Sequence, residues 1–282
     1  MFASLIKGFC FRVLMLLGIA LSLPGCAAYF ASQFPSPSTA PQPQAPAPAG
    51  ALLKSELRIG ISPDYEPLAY KNQPFGLVGV EVDFANQLGK DLGKEIVFVE
   101  TPFPQLIQAL LAGEIDIIMS GMSITDERSR LVSFTDPYAR IGQMALVRAK
   151  DKSAFPNVQS LSRATSKVGY VETTTGEMAA RAFFPKAILA PQPTIEDGIA
   201  ALRKGEIVLF IHDAPTVWRI AGNAQETELE GLYWPLTKEP LAWAVRKEDE
   251  PLRFELNRTL EQWQLDGSLK RTLSRWVTLR IW

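Results

Sequence analysis

The sequence predicts an α/β protein whose body is two tandem lobes joined by two crossing strands. Three observations carry that prediction. From Glu56 onward, short apolar strands alternate with amphipathic helices, the order expected of a parallel-rich sheet. The segment LIQALLAGEIDIIMS at 106–120 is echoed without a gap by GIAALRKGEIVLFIH at 198–212, each as helix, glycine stop and buried strand. Two β-rich stretches, at 143–148 and 241–246, lie between the halves, so the chain leaves lobe 1, builds lobe 2 and returns. Units of one helix and one strand share this pattern in any α/β protein, so the echo leaves internal duplication open. Two α/β halves follow either way.

The elements read in order as follows. A strand at 57–62 stops at Pro63-Asp64. A helix at 80–92 places Val80, Phe84, Leu88 and Leu92 on one face and ends at Gly93. A strand at 96–99, a helix at 105–112 closed by Gly113, and a strand at 115–119 complete the first half. The second half opens with a strand at 167–171, and two helices, 250–265 and 268–277, follow the return crossing. The expected boundaries are 56–147 with 242–282 for lobe 1, and 148–241 for lobe 2.

Composition narrows the function. The chain has 282 residues, 47% hydrophobic and 21% charged, which suits two compact units and excludes a disordered chain or a bundle of membrane helices. A net charge of -1 with no basic face argues against nucleic acid as a partner. Two cysteines cannot make a disulfide scaffold, and a single histidine excludes a histidine-rich metal centre. Neither a metal nor a cofactor is expected.

The first residues are not fold. Lys7 and Arg12 precede an apolar run at 13–23, whose eleven residues would rise about 16 Å as helix, too short for a membrane span. This is a signal-peptide core. It ends in Leu23-Pro24-Gly25-Cys26, which resembles the lipobox of bacterial lipoproteins. Residues 1–25 are therefore expected to be removed and Cys26 to be lipidated, with ordinary cleavage nearby as the alternative. Residues 26–55 form a tether in which Pro35, Pro37, Pro41, Pro43, Pro46 and Pro48 favour extended polyproline II. At about 3.1 Å per residue, the proline-rich part would reach about 50 Å from a membrane.

Ligands of open α/β sheets bind at the carboxyl ends of strands. In lobe 1 that place is Ser120-Gly121-Met122-Ser123-Ile124-Thr125, followed by Asp126-Glu127-Arg128. Thr125 is a natural N-cap, and the guanidinium of Arg128 matches a carboxylate in bidentate geometry. The alternative for Arg128 is a solvated side chain in a charged run. In lobe 2 the strand end is His212-Asp213-Ala214-Pro215, where Asp213 would face an ammonium group or simply cap a helix. His212 reads as a partly buried core residue. The turn Glu172-Thr173-Thr174-Thr175-Gly176 collects hydroxyls and free backbone donors. Enzyme templates do not fit: His212 and Asp213 are adjacent on a strand and point to opposite faces, and no phosphate loop, GxGxxG or zinc spacing is present.

These residues resemble the bacterial extracellular solute-binding family that serves polar amino-acid ABC transporters, family 3. GEIDIIMSGMSITDERSRLVSFTDPY at 113–138 carries most of the likeness, with GVEVDFANQLGKDLG from Gly79, VGYVETTTGE from Val168, FIHDAPT from Phe210 and WQLDGSLKRTLSRW near the end. Glutamine- and histidine-binding members are the most similar in motif. The resemblance implies a two-lobed flytrap of the periplasmic-binding-protein type, with two hinge strands and a ligand cleft between the lobes. It implies that Arg128 and the backbone N–H groups of Ser123 and Thr175 hold the ligand carboxylate. The ammonium would go to Asp213, the Ser123 hydroxyl and the Gly121 carbonyl. Tyr65 and Phe103 would cover the ligand side chain, in a pocket completed by Ser62, Ser120, Val171, Thr174 and His212.

Two departures bear on the ligand. Many members that bind basic amino acids or glutamine carry an acid where this chain has Ser62, so a counter-charge for a cationic side chain is missing. Thr173 stands where glycine is common. The implied function is a monomeric, lipid-anchored receptor outside the cytoplasmic membrane, periplasmic or at the cell surface. It would capture a small, polar, non-cationic amino acid for an ABC permease and its ATPase. The alternatives are a cyclohexadienyl dehydratase on the same fold and an amino-acid sensor uncoupled from transport.

Overall fold

The structure, a computed structural model, describes residues 50–277. The expected signal sequence, Cys26 and most of the tether lie outside these residues. Among the described residues no helix is long and apolar enough to cross a membrane.

The first lobe begins with β1 (Glu56–Ile61), a small antiparallel sheet of β2 (Asp64–Tyr65), β3 (Ala69–Asn72) and β4 (Gly76–Val78), and α1 (Val80–Leu92). Val80, Phe84 and Leu88 of α1 are buried as the spacing predicts, and Gly93 ends the helix in the left-handed conformation at φ 62°. Next come β5 (Glu95–Glu100), α2 (Leu106–Leu111), β6 (Ile117–Ile118), α3 (Asp126–Ser129) and β7 (Ser133–Phe134). The chain then crosses through β8 (Ala139–Ile141) into β9 (Gln143–Arg148).

The second lobe adds α4 (Val158–Leu161), β10 (Lys167–Val171), α5 (Thr175–Phe183), β11 (Ile188–Gln192), α6 (Ile195–Lys204), β12 (Leu209–Asp213), α7 (Ala214–Ala221) and β13 (Leu229–Leu232). The chain returns through β14 (Glu239–Leu241) to β15 (Ala244–Val245), α8 (Glu250–Leu265) and α9 (Ser268–Trp276).

Each lobe holds one mixed sheet, ordered β5-β1-β6-β15-β7 and β11-β10-β12-β9-β13. The two orders correspond strand for strand, and the echoed segments occupy equivalent places: α2 and β6 in one lobe, α6 and β12 in the other. In both sheets the strand next to the echoed one is antiparallel and comes from the chain's passage between lobes. The outgoing chain supplies β9 to lobe 2 and the returning chain supplies β15 to lobe 1.

That arrangement corrects the expected boundary at 147/148. Gln143–Arg148 is bonded on both edges inside the second sheet. The crossing is instead the antiparallel pair β8 and β14, with Ile141 opposite Glu239 and Ala139 opposite Leu241. Gly142 sets the place of the turn into β9, because a Cβ there would lie 2.2 Å from the Thr237 carbonyl oxygen.

The core of lobe 1 is aromatic. Phe84 stacks on Trp263 with ring centroids 5.5 Å apart, and the edge of Trp243 meets Phe84 at 5.9 Å. Glu81 is fully buried among these groups with both carboxylate oxygens engaged: Oε1 accepts from Gly121 N (2.7 Å) and Tyr138 OH (2.6 Å), and Oε2 from Trp243 Nε1 (3.0 Å). Burial raises its pKa against the lowering effect of these donors. The helix α1 thereby holds the loop at Gly121 that begins the cleft wall.

Candidate functional site

The cleft lies where strands of both sheets end. From lobe 1 it is lined by Asp64 and Tyr65 after β1, Phe103 after β5, and Gly121, Ser123 and Arg128 after β6. From lobe 2 it takes Gln143, then Val171, Thr174 and Thr175 after β10, Thr194 and Ile195 after β11, and His212 and Asp213 at the end of β12. Two sheets thus converge their carboxyl edges on one cavity, the position where α/β folds bind ligands.

Arg128 is fixed from below and from beside. Thr125 Oγ1 caps α3 by accepting from Arg128 N at 3.2 Å. The guanidinium donates to Ser123 O at 2.8 Å and, across the cleft, to Thr173 O at 3.2 Å. Its Cζ lies 5.3 Å from the Phe103 ring centre, within cation–π range. Burial lowers the Arg128 pKa, while the carboxylates of Asp213 and Glu239 oppose that. Thr173 adopts φ 61°, a left-handed conformation unusual for a side chain branched at Cβ, and its N–H donates to Glu177 Oε2 at 3.0 Å.

Asp213 occupies the N-cap position of α7 but makes no side-chain cap bond, so helix capping does not explain it. Its carboxylate faces the cleft instead: Tyr65 OH donates to Oδ2 from the other lobe and Gln143 Nε2 donates to Oδ1. Gln143 is beside it because β9 and β12 pair in that register, and the same amide donates to Thr175 Oγ1 at 3.0 Å. Burial pushes the Asp213 carboxyl up to about 7, and the neighbouring Glu239 carboxylate adds to the rise against Tyr65, Gln143 and Arg128. Burial, then the charge of Asp213, holds the Tyr65 hydroxyl well above the usual phenol range.

His212 packs as core on one side, its ring stacked on Phe210 at 5.9 Å, and meets the edge of Tyr65 at 5.6 Å on the other. Burial and the nearby Arg219 push its pKa down to about 3, so it is a neutral wall at physiological pH.

Of the residues singled out from the sequence, Tyr65, Phe103, Gly121, Ser123, Arg128, Val171, Thr174, Thr175, His212 and Asp213 line one cavity. Ser62 and Ser120 do not. Both are buried in the wall behind it, where Ser62 N donates to Ser120 Oγ at 2.9 Å and staples the end of β1 to the end of β6. Ser62 Oγ donates to Asp64 Oδ1 at 2.7 Å, so a carboxylate does stand at this end of the cleft, two positions later and solvent-exposed.

Asp64, Gln143, Thr194, Ile195 and the buried Glu239 were not legible as site residues. Gln143 is placed by strand register and Glu239 by the return crossing, and neither leaves a local motif. Among the described residues no cluster of His, Cys, Asp or Glu suits a metal ion. The arrangement offers a cation on one lobe, an anion on the other and hydroxyl and amide groups between.

Comparison with known proteins places the chain in a family. The family model for bacterial extracellular solute-binding proteins, family 3, matches residues 57–279. The chain is 31% identical over 250 residues to the histidine-binding periplasmic protein of Escherichia coli, covering 83% of this chain and 92% of that one. It is 30% identical over 222 residues to the ABC transporter glutamine-binding protein of Bacillus subtilis, covering 77% and 80%. Among solved structures, an ancestral amino acid-binding protein described as a precursor of cyclohexadienyl dehydratase is 32% identical, with a TM-score of 0.74 and coverage of 80% and 96%.

Proposed function

We propose, for a chain that belongs to the bacterial extracellular solute-binding proteins of family 3, a receptor that closes its two lobes on a small amino acid and delivers it to an ABC permease and its ATPase. The observation that supports this reading most directly is the opposition of Arg128 on lobe 1 and Asp213 on lobe 2 across one cavity. A zwitterion carries a group for each. In the described conformation the lobes already meet through Tyr65 to Asp213 and Arg128 to Thr173 O, with Arg219 of α7 reaching Glu66 at 3.4 Å. The ammonium of a bound amino acid takes the place of these donors at Asp213, and its carboxylate turns the Arg128 fork from backbone carbonyls to a charged partner. Contacts made only in the closed form shift the lobes toward closure.

The ligand side chain is polar and non-cationic on this reading. Ser62 gives no buried counter-charge, and the exposed Asp64 is screened by solvent. A melting screen over the amino acids tests this, since a ligand at 100 times its Kd stabilises by about 2.7 kcal/mol. Stabilisation by glutamine above lysine and arginine is the expected result. Preference for lysine or arginine would instead make Asp64 the counter-charge. Removing either pole, as Arg128→Ala or Asp213→Ala, weakens binding by about 2–5 kcal/mol in calorimetry.

The receptor is monomeric and anchored to a membrane through lipid on Cys26, in the periplasm or at the cell surface. The variant Cys26→Ala then moves from the membrane pellet to the soluble fraction.

One observation favours a second reading. A carboxyl with a pKa near 7 in a closed cleft is also equipped for proton transfer, the chemistry a cyclohexadienyl dehydratase needs. Incubation with prephenate separates the two: formation of phenylpyruvate supports the enzyme, and an unchanged substrate supports the receptor.

A further inference from the structure

We infer that Glu239, on the returning hinge strand, is a positioning residue for the ligand amine: by accepting the Ser123 hydroxyl hydrogen it leaves Ser123 Oγ only lone pairs to offer the cleft. The inference rests on the amino-acid receptor reading and gives its ammonium subsite a second carboxylate, outside the cavity lining.

Glu239 is buried, and both its oxygens are engaged by hydroxyls. Oε2 accepts from Ser123 Oγ at 2.7 Å, and Oε1 accepts from Thr237 Oγ1. Thr237 Oγ1 in turn accepts from Gln143 N at 2.9 Å, and Gln143 Nε2 donates to Asp213. Hydrogen bonds therefore link Ser123 in lobe 1 through Glu239 and Thr237 to the backbone of Gln143, whose side chain holds Asp213 in lobe 2. The backbone follows the same route. Ile124 N donates to Pro240 O at 2.9 Å, Ala242 N donates to Met122 O at 3.1 Å, and Ser123 forms a β-bridge with Leu241. The loop that lines the cleft is thus carried on the hinge strand.

A hydroxyl has one hydrogen. Once it is committed to a carboxylate, the oxygen accepts from an N–H donor and repels a ligand carboxylate. This assigns the Ser123 side chain to the ammonium and leaves the carboxylate to Arg128 and backbone N–H groups. Glu239 also raises the proton affinity of Asp213. The groups facing Asp213 are Tyr65, Gln143, the neutral His212, Arg128, Glu239 and, through space, Tyr138; those facing Glu239 are Ser123, Thr237 and, through space, Tyr65, Arg128 and Asp213.

The test is titration calorimetry of full-length protein with L-glutamine, L-histidine and L-lysine from about pH 5.5 to about pH 8.5. Wild type is compared with Glu239→Gln, Ser123→Ala and the double variant, each with its melting temperature. Glu239→Gln keeps the volume but removes the charge and exchanges one of the two acceptor oxygens for an amide donor, and its melting temperature checks that it still folds. It is expected to bind at least tenfold more weakly at pH 8 and to show its pH midpoint at lower pH, because Asp213 no longer shares a field with a second carboxylate. The double variant should bind no more weakly than the weaker single one, since the two residues act on the same contact. A Glu239→Gln variant with wild-type affinity and midpoint overturns the inference while the receptor reading stands, as does full additivity in the double variant. Wild type that is stabilised by no amino acid in the melting screen overturns the reading beneath it.

Discussion

Asp213 accepts hydrogen bonds on both carboxylate oxygens, yet burial holds its pKa near 7 rather than near the usual carboxylate value. The sign of the consequence is definite. The ammonium of a ligand favours the ionised form, so affinity is greatest above pH 7 and falls as pH drops through 7. The fall is about tenfold per pH unit until the lowered pKa of the complex is reached. Calorimetry at several pH values checks it, and a flat profile between pH 5 and 8 would remove Asp213 from the ammonium subsite. Stability of the empty protein runs the other way. A carboxyl whose folded pKa lies above its unfolded value binds more protons when folded, so its contribution worsens as pH rises from about 4 to about 7. The substitution Asp213→Asn should therefore weaken binding yet raise the stability of the empty protein at pH 8, read as a higher melting temperature, with the gain vanishing near pH 4.

At the scale of elements, the least replaceable contacts join chain segments far apart in sequence. Asp116, just before β6, is fully buried and takes Lys54 Nζ and Arg58 Nη2 at 2.9 Å and Arg246 Nη2 at 3.4 Å, tying the start of β1 and the end of β15 to β6. Burial alone would raise its pKa, but the hydrogen bonds from Arg58 and Lys54 hold it well below the usual carboxylate range. Asp116→Ala leaves clustered cations without their anion and should cost about 3–5 kcal/mol in denaturant unfolding. Because the folded pKa is depressed, the wild-type contribution is complete above about pH 4 and is lost as pH falls below it. The hinge offers a second test. In Gly142→Ala the new Cβ must displace the Thr237 carbonyl from 2.2 Å, which spreads β8 from β14. Lower stability together with weaker ligand binding is expected, because the Thr237–Glu239 segment carries the cleft loop.

For the whole molecule, each lobe is built on its own sheet, one buried apolar cluster includes residues of both, and polar side chains join them across the cleft. The pairing of Arg219 with Glu66 across the lobes is partly exposed on both sides and should contribute no more than about 1 kcal/mol. Glu66→Gln is accordingly expected to change affinity by less than about fivefold, whereas losing Arg128 or Asp213 costs far more. Ligand addition should narrow the distribution of lobe separations toward the closed form, read as a smaller radius of gyration in solution scattering.

Several elements and the pole residues of the cleft were legible in local sequence patterns and motif likeness. Local patterns suffice for α1, whose apolar positions recur four apart before Gly93, and for the Thr125 cap that starts α3. The echo at 106–120 and 198–212 anticipated equivalent helix–strand units, and motif likeness pointed to Arg128 and Asp213. What depends on register and on the path between lobes became visible in the folded chain. It moved Gln143–Arg148 wholly into the second sheet, set Gln143 against Asp213, buried Ser62 and Ser120 behind the cavity and brought Glu239 to Ser123. The physical reason is range: helix faces and caps are set by neighbours within one turn of chain. A hydrogen bond between residues 116 positions apart exists only after both sheets and the crossing between them have formed.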